Sequence, residues 1–81
     1  MVVKVYTTPA SPWCAQAKAF LEAKGVAFEE IDVSRDPRLL KELRDLSGQI
    51  GVPVIVHGTS IVIGFDPTAL ESLAAKARSA P

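Results

Sequence analysis

Three dipeptides in this chain combine a polar residue with a following proline, and they mark where its helices begin. They are Ser11-Pro12, Asp36-Pro37 and Asp66-Pro67. Serine and aspartate are favoured at the N-cap of a helix, and proline is favoured at the first helical position, because that position needs no backbone donor. The sequence therefore predicts three helices, and the segments between them must supply the rest of the fold.

The segments outside these helices have the apolar, β-branched character of strands. Residues 2–6 are rich in valine, and residues 26–33 alternate between polar and apolar before becoming apolar. Residues 52–56 and 61–63 flank His57-Gly58-Thr59-Ser60, a spacing that is typical of a hairpin. The predicted order is therefore β-α-β-α-β-β-α.

This order restricts how the strands pair. The first β-α-β unit predicts a right-handed parallel crossover, and the final hairpin must add antiparallel strands to the same sheet. Helices on both faces would cover the core. We therefore expect an α/β fold over residues 1–81, a single domain with a four-stranded mixed sheet and three helices. The residues predicted to face inward are Ala17, Phe20, Leu21, Leu39, Leu40, Leu43, Leu46, Leu70 and Leu73.

Composition narrows the classes of function. Of the 81 residues, 48% are hydrophobic, which favours a packed core over disorder. Nine basic residues balance nine acidic ones, so bulk charge does not favour nucleic-acid or membrane binding. We expect no signal peptide and no membrane span. Cys14 is the only cysteine, so the chain cannot form an internal disulfide or a cysteine-rich metal site. A small domain without disulfides favours a reducing cytoplasm.

Cys14 lies in the segment Ser11-Pro12-Trp13-Cys14, where the first helix is predicted to begin. A thiolate at a helix N-terminus is stabilised by free backbone N–H groups and the helix dipole. Residues three apart on a helix lie roughly 5–6 Å apart, close enough for a disulfide. Serine lacks this chemistry without a dedicated base, and His57 is expected in the hairpin turn, away from Ser11.

Four segments, in this order, resemble the glutaredoxin family of the thioredoxin fold, and the resemblance covers nearly the whole chain. Ser11-Pro12-Trp13-Cys14, followed by Ala17-Lys18, is similar to the Cys-Pro-aromatic-Cys site of the family. The other three are Tyr6-Thr7-Thr8-Pro9 after the first strand, Gly51-Val52-Pro53 at the position of the cis-proline, and Gly64-Phe65-Asp66, which resembles the segment that meets the substrate. The short length also resembles the redoxins that reduce ribonucleotide reductase.

The resemblance implies a thiol–disulfide oxidoreductase that acts through a mixed disulfide. Position 11 would hold the attacking cysteine and Cys14 would be the resolving one, so Ser11 predicts that dithiol activity is lost. The implied partners are a protein disulfide, with ribonucleotide reductase as one candidate, and either glutathione or a thioredoxin-reductase-like enzyme as reductant. No cofactor or metal is implied, and a monomer is expected. The implied substrate contacts are Pro12, Trp13, Lys18, Val52, Pro53, Gly64, Phe65 and Asp66.

Several of these residues also have ordinary structural explanations. Ser11 and Asp66 can be helix caps, Cys14 can be simply packed, and Lys18 can be a solvated charge rather than a group that favours a thiolate. Pro53 can be a strand-start proline. The family reading instead makes the Val52–Pro53 bond cis and predicts that Trp13 is exposed.

Two other functions are also considered for this sequence. One is a non-catalytic module that binds glutathione or a peptide in the same groove. The other, iron–sulfur carriage, is disfavoured because it uses the missing thiol at position 11. The serine itself is compatible with an engineered substitution and with a natural loss of the nucleophile.

Overall fold

The described part of the chain, residues 2–79 of a computed structural model, contains four strands and three helices in the predicted order. They are β1 (Val3–Thr7), α1 (Pro12–Ala23), β2 (Phe28–Asp32), α2 (Pro37–Ser47), β3 (Val54–His57), β4 (Ser60–Ile63) and α3 (Pro67–Ser79). All three helices begin at the predicted prolines. Within residues 2–79, no helix combines the length and apolarity that a membrane span requires.

The four strands form one mixed sheet in the order β2-β1-β3-β4. β1 and β2 are parallel, with Val3 opposite Phe28. β3 is antiparallel to both β1 and β4. These pairings confirm the predicted parallel unit and antiparallel hairpin, and they place β1 and β3 in the middle of the sheet.

The two faces of the sheet are covered by different helices, because side chains alternate along a strand. Val5 and Tyr6 are neighbours in β1 and are both fully buried, yet they belong to separate core clusters. The cluster of Val5 contains residues of α1 and α3, namely Ala17, Leu21, Leu70, Leu73 and Ala74. The cluster of Tyr6 contains Leu43 of α2, with Leu39 and Leu40 packed against it.

Two placements differ from the sequence-based expectation. Leu46 was expected in the core but is 39% exposed, because it borders a groove beside Val56 and Gly58 rather than the sheet interior. His57 was expected in the hairpin turn but is the last residue of β3, where it pairs with Ser60 and is buried. The turn is two residues long, and its Gly58 has a φ of 60° that favours glycine.

Candidate functional site

The start of α1 is held by Ser11, as its sequence predicts. Ser11 has an extended backbone, and its Oγ accepts a hydrogen bond from the Cys14 N–H at 3.2 Å. Pro12 follows in the first turn of the helix. The N-cap prediction is therefore confirmed, and the bond fixes the Ser11 side chain over the first turn of the helix.

Cys14 lies on the inner side of this turn and is 1% exposed. Ser11 is half-buried and more accessible. A group that attacks a substrate disulfide must be reachable from solvent, whereas one that resolves a mixed disulfide needs only to reach the neighbouring position. The burial of Cys14 therefore suits either a packed structural thiol or a resolving thiol.

An apolar groove of about 270 Å³ opens beside this helix start. Five predicted site residues from three separate segments line it: Trp13, Val52, Pro53, Gly64 and Phe65. The Val52–Pro53 peptide bond is cis, as predicted. Trp13 is 56% exposed, and its ring stacks on that of Phe65 with centroids 6.3 Å apart. The groove thus offers a flat aromatic wall next to the helix N-terminus.

The backbone that lines the groove is hydrogen-bonded between Gly64 and Pro53 and unpaired at Val52. The Gly64 N–H donates to the Pro53 carbonyl oxygen at 2.8 Å, which joins the two loop segments. Gly64 has a φ of 78°, a conformation that L side chains rarely adopt. Within residues 2–79, the Val52 N–H and C=O form no hydrogen bond. These two groups are therefore free to pair with an extended peptide.

Lys18 lies one helical turn beyond Cys14, but its charge is already paired. Its Nζ lies 2.9 Å from Glu30 Oε2, and the buried Thr7 donates its hydroxyl to the same oxygen, also at 2.9 Å. The hydrogen bond from Lys18 is the main cause that holds the pKa of Glu30 below its usual value. Lys18 does not line the groove.

Sequence reasoning missed Thr7 and Glu30 as partners of Lys18. Thr7 and Glu30 lie on the parallel strands β1 and β2, and the register pairs Val5 with Glu30. A polar residue in a predicted strand is the only sequence signal for such a contact. The contact itself depends on the register, which one strand alone does not specify.

The remaining predicted site residues lie around the groove rather than in it. Asp66 is exposed, and its Oδ1 accepts from the Ala69 N–H at 3.2 Å, which confirms its role as a cap of α3. Pro12 is exposed at the start of α1. His57 lies at the opposite end of β3 from Pro53, so it is not placed to act as a base for Ser11.

A second groove formed by the described residues does not gather the predicted site residues. A larger groove of about 600 Å³ runs along β2 and α2, and its lining is mostly charged and contains none of the predicted site residues. Among residues 2–79, no group of three or more His, Cys, Asp or Glu side chains could hold a metal ion. The helix start and the apolar groove are therefore the best candidate site.

Comparisons with known proteins point in the same direction. The family model for glutaredoxin matches residues 3–62. A glutaredoxin-like 8.6 kDa protein in the rubredoxin operon of Clostridium pasteurianum is 37% identical over 75 residues, which cover 93% of this chain and 100% of that protein. The glutaredoxin of Neisseria meningitidis serogroup B is 45% identical over 64 residues, which cover 78% of this chain and 75% of the relative.

Solved structures show the same architecture. The glutaredoxin grx-1 from Archaeoglobus fulgidus superposes with a TM-score of 0.83 at 29% identity, covering 88% of this chain and 83% of that one. The glutaredoxin-like NrdH-redoxin from Escherichia coli, whose structure is described as the basis of a thioredoxin-like activity profile, superposes with a TM-score of 0.82 at 32% identity. That match covers 90% of this chain and 95% of the redoxin.

Proposed function

Because the chain belongs to the glutaredoxin family, we propose that residues 11–14 form the site of a thiol–disulfide oxidoreductase in which a serine occupies the position of the attacking cysteine. One observation carries this proposal. Ser11 caps α1 beside an apolar groove, three residues before a buried thiol. This is where a dithiol site needs its accessible sulfur, and the chain has an oxygen there.

With a thiol at position 11, the chemistry balances in two exchanges. The thiolate attacks one sulfur of the substrate disulfide, which forms a mixed disulfide and releases the other substrate sulfur as a thiolate. The Cys14 thiolate then attacks the sulfur at position 11 in the mixed disulfide. This forms the internal disulfide and releases the second substrate thiolate. Two electrons pass to the substrate, and the released thiolates take protons from water. Two glutathione molecules, which become glutathione disulfide, or a thioredoxin-reductase-like enzyme then supply two electrons that reduce the internal disulfide back to two thiols.

With Ser11 the first exchange has no attacking group. A serine hydroxyl is not deprotonated at neutral pH without a base, and the only histidine lies at the far end of β3. Dithiol activity is therefore absent from this chain as it stands. The helix start still has a positive dipole end, and the Cys14 N–H that now bonds to Ser11 Oγ would face a sulfur placed at position 11. Both would lower the pKa of a thiol at that position.

The groove is the proposed substrate-binding surface. Trp13 and Phe65 supply an apolar wall, and the free Val52 backbone groups can pair with an extended segment of a protein disulfide. Pro12, Lys18 and Asp66 would border the bound segment. Ribonucleotide reductase is one candidate substrate. We place the protein in the cytoplasm, as a monomer whose residues 1–81 form one domain.

A second candidate is a non-catalytic module that holds glutathione or a peptide in this groove. The burial of Cys14 favours it, because the chain then has no accessible thiol and the groove is nevertheless formed. Such a module would bind without turnover, and Ser11 would act only as the helix cap.

The Ser11→Cys substitution separates the two candidates. We expect the variant to reduce a small disulfide with glutathione plus its reductase, or with a thioredoxin reductase, and the better donor identifies the reductant. The oxidised variant should lose two hydrogens by mass spectrometry, from an internal disulfide. Ser72→Cys, at an exposed position of α3, is the matched control that adds a thiol elsewhere and should gain neither property. Inactivity of Ser11→Cys with both donors, without an internal disulfide, would favour the binding module. Turnover by the unaltered chain would instead make Cys14 the attacking group.

A further inference from the structure

The segment that connects α2 to Pro53 is held by a side chain rather than by backbone pairing. Between Gly48 and Pro53, no backbone–backbone hydrogen bond is formed within the described residues. The Gln49 amide folds back onto Gly51 instead. Its Oε1 accepts from the Gly51 N–H, and its Nε2 lies 3.1 Å from the Gly51 carbonyl oxygen. One side chain therefore pairs both backbone groups of Gly51, as a neighbouring strand would.

The Gln49 amide is itself anchored to the end of α2. Its Nε2 lies 3.2 Å from Ser47 Oγ, and this hydroxyl lies 2.7 Å from the Leu43 carbonyl oxygen in the last turn of the helix. Leu43 is fully buried. A chain of hydrogen bonds thus runs from the core-facing part of α2 to the residue before Val52.

Glycine at position 51 leaves room for the Gln49 amide, whereas its own backbone conformation does not call for glycine. Its φ is not positive, so the backbone conformation is open to other residues. A Cβ at this position would lie 2.7 Å from Gln49 Oε1, which is too close, and 3.8 Å from Gln49 Cδ, which is an ordinary contact. Because Oε1 is the far end of a flexible side chain, the amide is the group that would shift to make room for a Cβ at position 51.

We propose that Gln49 is a positioning residue for the groove. Its amide holds Gly51 so that the next residue, Val52, keeps its unpaired N–H and C=O in the position that receives an extended chain. Ordering this segment before binding reduces the entropy that the ligand must otherwise offset. The inference rests on the proposed use of the groove, but not on redox activity in this chain.

The hydrogen bonds that join the Gln49 amide to Gly51 are called the Gln49 brace below. The first test examines this brace without any ligand. Hydrogen exchange measured by NMR on the unaltered chain should show a protected Gly51 amide, and Gln49→Ala should speed its exchange by about tenfold or more. Gln49→Glu keeps an acceptor for the N–H and should retain most of the protection. Gln16→Ala is the matched control, because Gln16 is the only other glutamine and is exposed on α1. An unprotected Gly51 amide in the unaltered chain would overturn the inference.

The second test measures binding and turnover separately. Trp13 is the only tryptophan and lines the groove, so its fluorescence reports binding of glutathione to the unaltered chain. Gln49→Ala should raise the dissociation constant about three- to tenfold, the range expected for one net hydrogen bond. In the Ser11→Cys background it should raise KM for glutathione disulfide to the same extent and change kcat less than about twofold. Gln16→Ala should change neither constant.

The third test uses the contact between positions 49 and 51. Gly51→Ala should weaken binding about as much as Gln49→Ala, and the double variant should be no weaker than either one, because both changes remove the same brace. Additive losses would overturn the inference, as would unchanged binding in Gln49→Ala or no glutathione binding by the unaltered chain. If Ser11→Cys is inactive but glutathione binding still depends on Gln49, the redox proposal fails and this one stands. If Ser11→Cys is active and Gln49→Ala leaves its KM unchanged, the redox proposal stands and the inference about Gln49 fails.

Discussion

Ser11 Oγ accepts the Cys14 N–H at 3.2 Å, so this one oxygen satisfies a backbone donor that a helix N-terminus leaves free. Sulfur at the same position would be a weaker acceptor and a far better nucleophile. Serine at position 11 therefore favours helix capping, whereas cysteine at the same position would favour redox chemistry. The two roles can be measured apart, because capping affects stability and the thiol affects turnover.

We expect Ser11→Ala to lower the free energy of unfolding by about 0.5–2 kcal/mol, since the Cys14 N–H loses its acceptor. Urea denaturation followed by circular dichroism measures this loss. Ser11→Asn is the control, because asparagine caps as well as serine and should stay close to the unaltered chain. Equal midpoints for Ser11→Ala and the unaltered chain would show that the cap contributes nothing.

At the scale of elements, Glu30 joins three of them. Its carboxylate on β2 receives hydrogen bonds from Lys18 on α1 and from Thr7 on β1. Because Thr7 immediately precedes the loop that leads to Ser11, this carboxylate fixes the start of α1 relative to the sheet edge. It also pairs with the charge of Lys18 in the middle of α1.

The lowered pKa of Glu30 gives this contact a definite pH dependence. A carboxyl whose folded pKa lies below its unfolded value stabilises the fold above the unfolded pKa, and this contribution is lost as the pH falls through the folded pKa. We expect Glu30→Gln to cost up to about 1 kcal/mol at pH 7, since the pair is partly exposed, and much less at pH 3. Denaturant midpoints at both pH values test this. Asp45→Asn, which breaks an exposed pair with Lys41, is the control and should change little at pH 7. An equal cost of Glu30→Gln at both pH values would assign it to packing instead.

The sheet divides the core, and within residues 2–79 α2 is the helix that covers the face of Tyr6. Leu43 is fully buried in that cluster, and the Tyr6 hydroxyl donates to Glu42 Oε1 at 2.7 Å beside it. Burial, followed by this hydrogen bond, raises the pKa of Tyr6 above its ordinary value. The hydroxyl therefore stays protonated and keeps α2 tied to the sheet.

Two leucines of α2 allow a matched test of this arrangement. We expect Leu43→Ala to destabilise the protein by about 2–5 kcal/mol, because it leaves a cavity beneath α2, the helix that covers this face in the described part of the chain. Leu46→Ala removes the same atoms from a side chain that is 39% exposed and should cost less than about 1 kcal/mol. Thermal or urea unfolding compares them directly. Similar losses for both variants would mean that Leu46 is packed in solution.

Much of the fold could be predicted because its signals are local. The cap and proline pairs at Ser11, Asp36 and Asp66 act on the backbone within one helical turn, so they set the helix starts without reference to the rest of the chain. The glycine turn at Gly58 and the β-branched strands are equally local. The groove residues were predicted for a different reason, namely the resemblance of their segments to a family.

The order of elements, the cap at Ser11 and the absence of a second thiol can all be read from the chain without its three-dimensional structure. Other features depend on which distant segments meet. The strand register paired Lys18 with Glu30, and packing buried Cys14 and exposed Leu46. The Gln49 brace required the exact return of the chain toward Pro53. Local backbone preference depends on neighbouring residues. Burial and side-chain pairing depend on contacts between segments far apart in the chain, so no single segment encodes them.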